Sequence, residues 1–219
     1  MNRDFWLARW REGRIGWHRS SVMPLLARHW PQLALPRGAR VLVPLAGKSL
    51  DMIWLAAQGY RVLGVEWSPA AIEQFFAENR LAPVERAAAH GSHFTAGDIE
   101  LVCGDVMALG AEVFADCAAV YDRAALIALS EPARRCYAED VYAKLPPGCR
   151  GLLITLEYPQ AERAGPPFSV EDDEVHRLLD ERWDVALLER RDVLAQDPGS
   201  APKGVTACHT TVFRLELRA

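Results

Sequence analysis

The strongest constraint on the fold of this chain is a strand–helix–strand–helix pattern within residues 40–79. Residues 40–45 (RVLVPL) form a short, valine-rich apolar run, which is typical of a strand buried on both faces. An apolar helical pattern follows at 50–57, and the pair repeats as a strand at 60–65 and a helix at 70–79. Repeats this short join parallel strands through right-handed crossovers, so the pattern predicts an α/β fold.

The rest of the chain continues this alternation. Apolar runs predict further strands, and Ala96-Gly97-Asp98 predicts a small hairpin or strand entry, whereas residues 80–92 read as irregular. The further predicted strands cover residues 118–121, 151–158, 183–189 and 207–217. We therefore predict one domain over residues 1–219, with a seven-stranded, mostly parallel sheet and helices on both faces. Residues 1–30 read as a tryptophan-rich helical segment before the first strand.

Composition excludes several classes of protein. Half of the residues are hydrophobic and the formal net charge is only −4, which excludes general disorder and gives no basic excess for nucleic-acid binding. No uncharged apolar run reaches the length of a membrane span. The five cysteines include no C-x-x-C pair, and the histidines show no metal-ligand spacing. We therefore expect a cytoplasmic protein without a metal site, a membrane or a nucleic-acid partner.

The turn after the first strand excludes two nucleotide-binding motifs. A P-loop ending at Gly47-Lys48-Ser49 needs a glycine at position 42, which is leucine, and a dinucleotide fingerprint needs three glycines where only Gly47 is present. Glu66 ends the second strand about 20 residues after Gly47, a spacing at which a carboxylate accepts hydrogen bonds from ribose hydroxyls. A nucleoside cofactor without pyrophosphate, such as S-adenosylmethionine, suits this turn; the alternative is that Glu66 simply ends a strand in solvent.

Two further residues have both a functional and a structural interpretation. Arg123 ends the fourth strand at the same predicted sheet edge, where it either pairs with a carboxylate or anionic substrate or lies on the surface. His18 follows Trp17 and is either a general base or a structural histidine. The pattern alone does not decide between these interpretations.

Several motifs, in this order along the chain, are similar to those of thiopurine S-methyltransferases in their bacterial form. They are Trp6, Trp10, Gly13 and Gly16-Trp17-His18, residues 41–56 (VLVPLAGKSLDMIWLA), Gly64-Val65-Glu66, residues 121–126 (YDRAAL) and residues 165–168 (GPPF). The resemblance spans residues 6–168 and is looser beyond them. It implies a single-domain, Rossmann-like class I methyltransferase that uses S-adenosyl-L-methionine and releases S-adenosyl-L-homocysteine.

The resemblance also implies site residues, without a catalytic residue or a metal ligand among them. Residues 1–30 would cover the cofactor site. The implied cofactor-binding residues are Trp10, Leu45 in the first turn, Glu66 at the ribose, Gly104 and Asp105 beside the adenine, and Arg123 at the junction with the acceptor. Trp17 and Arg123 would contact the acceptor.

The activity implied is methyl transfer to the sulfur of aromatic or heterocyclic thiols, including thiopurines, by a monomer. Two positions depart from the family pattern: Ala46 stands where many members have cysteine, and residues 198–201 (PGSA) stand where some members have a basic residue. The second departure bears on the acceptor more than on the cofactor. Selenium or tellurium oxyanions, or another small metabolite, remain alternative acceptors, and a non-catalytic S-adenosylmethionine-binding module is a further alternative.

Overall fold

A nine-stranded sheet runs through the computed structural model, which describes residues 3–197, 199 and 201–218. Its strands are β1 (Arg40–Pro44), β2 (Arg61–Glu66), β3 (Val84–Ala88), β4 (Gly91–Ala96), β5 (Ile99–Cys103), β6 (Cys117–Arg123), β7 (Arg150–Glu157), β8 (Trp183–Asp192) and β9 (His209–Leu217). The order across the sheet is β3-β4-β5-β2-β1-β6-β7-β9-β8. The predicted α/β class is confirmed.

The five central strands are parallel and the outer ones antiparallel. The strand β1 pairs in parallel with β2 on one side and with β6 on the other, and β5 and β7 extend the parallel block. On one side β4 pairs antiparallel with β5 and β3 with β4, and on the other side β9 pairs antiparallel with β7 and β8 with β9. The chain builds outward from β1 in opposite directions, so a crevice opens at the carboxyl ends of β1 and β6, where open α/β sheets bind ligands.

Helices cover both faces of the sheet, as predicted. They are α1 (Arg3–Arg11), α2 (Pro24–His29), α3 (Leu50–Ala57), α4 (Pro69–Glu78), α5 (Ala111–Phe114), α6 (Glu131–Asp140), α7 (Asp172–Leu179) and α8 (Val193–Gln196). Successive residues of β1 point to opposite faces, so Val41 packs in a core with Met52 of α3, and Leu42 in a second core with Tyr137 of α6. No helix in the described part of the chain is long and apolar enough to cross a membrane.

Two serines begin the helices that follow β1 and β2, as the sequence predicts. The Ser49 hydroxyl accepts a hydrogen bond from the Asp51 amide at 3.2 Å, and the Ser68 hydroxyl accepts one from the Ala71 amide at 3.3 Å. Each hydroxyl satisfies an amide that the first helical turn leaves without a partner. These caps fix where the chain turns from strand to helix at the crevice.

The predicted count of seven strands is wrong, because the described residues form nine. The strand β3 lies within residues 80–92, which read as irregular, and the small hairpin resolves into the full strands β4 and β5. All five residues of β3 are exposed, so this edge strand has no apolar face whose alternation could reveal it. Of the 198–201 segment discussed above, Pro198 and Ser200 lie outside the described residues.

Candidate active site

A cavity of about 740 Å³ opens at the carboxyl ends of the central strands. Leu45, Glu66 and Arg123 contribute to its wall from the ends of β1, β2 and β6. Trp10 and Trp17 of the N-terminal segment line it, together with residues from the loop after β7 and from the stretch after β8. This volume is in the usual range for small-molecule sites. Five of the seven predicted site residues contribute to the wall of the cavity.

The turn after β1 is held in a conformation that brings its backbone close to the N-terminal segment. Leu45 has φ +46° and Gly47 has φ +54°, both in the left-handed region. A Cβ atom on Gly47 would lie 3.4 Å from Cζ2 of Trp10. That distance is an ordinary van der Waals contact, so it is the left-handed backbone that favours glycine at position 47.

Glu66 is oriented by two backbone amides. Its Oε2 accepts a hydrogen bond from the Gly47 amide at 2.8 Å, and its Oε1 accepts one from the Ser68 amide at 2.8 Å. Burial raises the pKa of Glu66, while the amides of Ser68, Gly47 and Trp67 favour the carboxylate. Each oxygen keeps capacity for a further hydrogen bond, so the carboxylate fits the two adjacent hydroxyls of a ribose.

Three tryptophans form an aromatic wall over the cavity. Trp17 packs edge to face against Trp6 and Trp10, with ring centroids 5.1 and 5.9 Å away. Trp10 is buried, and all three rings line the cavity. Such rings bury flat apolar surface, so this wall suits a planar, aromatic ligand group.

Arg123 is held in place by a buried carboxylate that sequence reasoning did not select. Its Nε donates to Oδ2 of Asp51 at 3.0 Å, and Asp51 is almost completely buried. The Tyr121 hydroxyl donates to the same oxygen at 2.9 Å, and the Met23 amide donates to Oδ1 at 2.8 Å. Asp51 thus links the end of β6 to the N-terminal segment.

A second buried carboxylate supports the turn after Arg123. Asp122 accepts hydrogen bonds from the hydroxyls of Tyr137 and Tyr142 at 2.9 and 3.0 Å, and from the Leu126 amide at 3.2 Å. Burial raises the pKa of Asp122, and these donors oppose that rise. In this turn Ala124, which follows Arg123, has φ +70°. Backbone strain at two positions of one cavity, Leu45 and Ala124, is typical of a functional site.

The substitution Ala124→Gly is expected to stabilise the protein by about 0.5–1 kcal/mol. The left-handed conformation costs a non-glycine residue about 1–2 kcal/mol, and the greater unfolded-state freedom of glycine returns about 0.4–1 kcal/mol. The measurement is the midpoint of urea unfolding. The control is Ala133→Gly within α6, which should destabilise by about 1 kcal/mol. An equal loss of stability in both variants would contradict the strain at Ala124.

Gly104 lies beside Glu66, and neither Gly104 nor Asp105 lines the main cavity. The Gly104 amide donates to the Glu66 carbonyl oxygen at 3.0 Å, which joins the ends of β5 and β2. The Asp105 carboxylate accepts from the Met107 amide at 3.0 Å and begins a short 3₁₀ turn. The predicted role of both residues beside an adenine ring therefore stays a prediction.

His18 lies in the cavity wall, and its surroundings favour the neutral imidazole. Burial lowers the pKa of His18, and the positive charges of Lys48 and Arg123 lower it further, while Glu78 opposes them. Lys48 itself is paired with Glu78, with 2.6 Å between its Nζ and Oε1. A neutral imidazole at this position leaves the cavity's positive charge to its arginines.

The sequence missed two kinds of site residue. Trp67 lines the cavity and follows Glu66 in the chain. Its position just after the end of β2 could have identified it as a site residue. The roles of Asp51 and Tyr121 had no such signal, because their contact joins residues 70 positions apart. The left-handed conformations of Leu45 and Ala124 were equally hidden, since neither residue type favours them.

Solved structures share this fold. One is the 1,6-didemethyltoxoflavin-N1-methyltransferase of Burkholderia thailandensis, with bound 1,6-didemethyltoxoflavin and S-adenosylhomocysteine. It is 18% identical, with a TM-score of 0.67 over 99% of this chain and 87% of that one. A methyltransferase of Anabaena variabilis, described as SAM-dependent, gives a TM-score of 0.67 at 14% identity over 100% and 96% of the two chains. The fold is therefore that of class I S-adenosylmethionine-dependent methyltransferases.

Sequence comparison defines the family within this class. The family model described as thiopurine S-methyltransferase matches residues 1–218. A thiopurine S-methyltransferase of Xanthomonas campestris is 58% identical over 216 residues, 99% of each chain, and one of Bordetella pertussis is 56% identical over the same span. This chain belongs to the thiopurine S-methyltransferase family. The predicted family, enzyme class and methyl donor, S-adenosylmethionine, are confirmed.

Proposed function

We propose that this enzyme transfers the methyl group of S-adenosylmethionine to the sulfur of an aromatic or heterocyclic thiol, such as a thiopurine. The observation that carries the proposal is the meeting of three features in one cavity. These are the Glu66 carboxylate for a ribose, the Arg123 guanidinium for negative charge, and the tryptophan wall for a planar ring. The names of the curated relatives support the same acceptor class.

The residues of the cavity act by binding and orientation. Glu66 and Trp10 would hold the methyl donor, which supplies an electrophilic methyl group. Aromatic thiols ionise readily and the thiolate is the nucleophile, so Arg123 needs only to favour the anion. Trp17 would orient the ring so that sulfur attacks in line with the departing sulfonium, and the N-terminal segment would exclude water. No side chain is assigned the role of a general base.

Competing acceptors test this proposal. Methyl transfer from labelled S-adenosylmethionine is measured for mercaptopurine, its oxo analogue hypoxanthine, and selenite in parallel. We expect transfer to mercaptopurine and not to hypoxanthine. Transfer to selenite alone would replace the thiol with a selenium oxyanion, and transfer to none, with S-adenosylmethionine bound, would favour a non-catalytic binding module.

The substitution Arg123→Ala is expected to lower kcat/KM for mercaptopurine by roughly 10- to 100-fold. Hydrogen bonds to charged groups contribute about 1.5–3 kcal/mol, and Arg123 is the cation that ends β6 in the cavity. Steady-state kinetics at saturating S-adenosylmethionine measure the loss. Arg135→Ala, an exposed arginine on α6, serves as the control. Unchanged kinetics in the Arg123 variant would remove this residue from the site.

We also propose that the enzyme acts as a monomer, on small molecules in the cytoplasm. The support for the monomer is the resemblance to the family. Light scattering after size exclusion should give a mass near 24.4 kDa. A mass of twice that value would contradict the proposed monomer.

A further inference from the structure

The imidazole ring of His18 has no hydrogen-bond partner among the described residues. His18 is half-buried in the cavity wall and directly follows Trp17 of the tryptophan wall. Its backbone amide donates to the Ile15 carbonyl oxygen at 2.8 Å, which closes the turn that carries the ring. A neutral imidazole has one donor and one acceptor nitrogen, so both remain available to a ligand in the cavity.

Charged groups from three other elements face His18. They are Lys48 in the turn after β1, Glu78 at the end of α4 and Arg123 at the end of β6. Burial and the two cations lower the pKa of His18, and Glu78 opposes them. The ring therefore enters the reaction with a free lone pair, which is the form that accepts a proton.

The carboxylates of the cavity wall are less suited to accept a proton from a thiol. Glu66 accepts hydrogen bonds from the amides of Gly47 and Ser68, which favour its charged form. Asp192 and Asp197 are exposed. A carboxylate is in general a weaker base than an imidazole. His18 is therefore the best-placed base that the described residues provide in this cavity.

We infer that His18 is a catalytic residue whose imidazole takes the proton of acceptors with a protonated thiol, so that the enzyme also methylates alkyl thiols. This inference rests on the proposed function and widens it beyond aromatic thiols, which ionise readily and need no base. An alkyl thiol has a pKa of about 8.5 in water and is mainly protonated at neutral pH. Such an acceptor reacts only if a group in the cavity removes its proton.

The proton transfer is balanced by the loss of the sulfonium charge. His18 binds the thiol proton at its free ring nitrogen while the thiol sulfur forms a bond to the methyl carbon of S-adenosylmethionine. The bond between that carbon and the sulfonium breaks, and its electron pair stays on the sulfur of S-adenosylhomocysteine. One positive charge is lost from the sulfonium and one appears on the imidazole, so the net charge of the cavity is unchanged. The imidazolium then releases its proton to water.

Two thiols of different acidity test this role. 4-Nitrothiophenol is ionised at neutral pH, whereas benzyl mercaptan is an alkyl thiol. General base catalysis contributes roughly 100- to 10,000-fold, so we expect His18→Gln to lower kcat/KM for benzyl mercaptan about 100-fold. Glutamine is neutral like the imidazole, so kcat/KM for 4-nitrothiophenol should change less than threefold. His176→Gln, at a partly exposed position on α7 outside the cavity, is the matched control.

The pH dependence separates a base from a residue that only shapes the cavity. For benzyl mercaptan, kcat/KM of the native enzyme should fall as the pH drops through the pKa of His18, which lies below its usual value. Between that pH and the pKa of the thiol it should be level. In His18→Gln it should rise with pH up to the pKa of the thiol, because only the thiolate then reacts. The same profile in both enzymes would overturn the inference, as would equal losses for the two thiols.

Nuclear magnetic resonance gives a readout without turnover. The ring signals of His18 are identified by their absence from His18→Gln and followed as benzyl mercaptan is added to the S-adenosylhomocysteine complex. We expect these signals to shift, and binding of the thiol without a shift would overturn the inference. Turnover of 4-nitrothiophenol but not of benzyl mercaptan by the native enzyme would also overturn it, with the proposed function intact. Turnover of neither thiol would contradict both.

Discussion

The substitution Glu66→Gln should weaken binding of S-adenosylmethionine about 100-fold. The native carboxylate is buried, and each oxygen accepts a backbone amide at 2.8 Å while keeping capacity for a ribose hydroxyl. A hydrogen bond to a charged group contributes about 1.5–3 kcal/mol, and about 2.7 kcal/mol corresponds to 100-fold in affinity. Glutamine removes the charge and turns a donor towards the amide of Gly47 or Ser68, so the expected loss corresponds to about one charge-assisted hydrogen bond.

Calorimetric titration with S-adenosylhomocysteine measures this loss without turnover. Glu85→Gln provides the control, because Glu85 is an exposed glutamate on the edge strand β3. Glu66→Asp retains the charge on a shorter side chain and should show an intermediate affinity. A dissociation constant for Glu66→Gln within threefold of the native value would show that this carboxylate does not bind the cofactor.

The substitution Asp51→Ala should destabilise the native state by about 3–5 kcal/mol. Asp51 is 1% exposed and accepts hydrogen bonds from the Met23 amide, the Tyr121 hydroxyl and the Arg123 guanidinium. Removing one partner of a buried ion pair leaves the other charge uncompensated, and two further donors would lose their acceptor. The N-terminal segment and Arg123 should loosen together, since the same carboxylate holds both.

Urea unfolding monitored by circular dichroism measures the free energy of unfolding of the Asp51 variants. Asp51→Asn should cost less than Asp51→Ala, because the amide oxygen still accepts one or two of the three bonds. Asp173→Ala, at an exposed position in the first turn of α7, should cost below about 1 kcal/mol. If Asp51→Ala were no more destabilising than Asp173→Ala, the proposed link between the N-terminal segment and β6 would be wrong.

Elements with a strong local signal were predicted from the sequence. The strand β1 is buried on both faces and reads as a continuous apolar run, and the helices α3 and α4 begin at serine caps that the structure confirms. The strand β3 lacks this signal, because its stability comes from hydrogen bonds to β4 and not from a buried face. The position of β3 in the sheet is therefore determined by its pairing with β4 and not by a pattern in its own five residues.

Site residues also divide into those that a local pattern predicts and those that depend on contacts distant in the sequence. Residues at the ends of strands, such as Glu66 and Arg123, follow from the rule that parallel strands place their carboxyl ends at one edge. Asp51 interacts with residues 28 and 70 positions away, so its burial depends on contacts that no local pattern encodes.

The most direct measurement is the position of the methyl group on the product. Mercaptopurine offers a sulfur and ring nitrogens to the same electrophile, and an isotope-labelled methyl group distinguishes these positions by its chemical shift. With sulfur oriented by Arg123 and the tryptophan wall, we predict S-methylmercaptopurine as the sole product. Methylation on a ring nitrogen, or no methylated purine under conditions where S-adenosylmethionine is bound, would contradict transfer to sulfur.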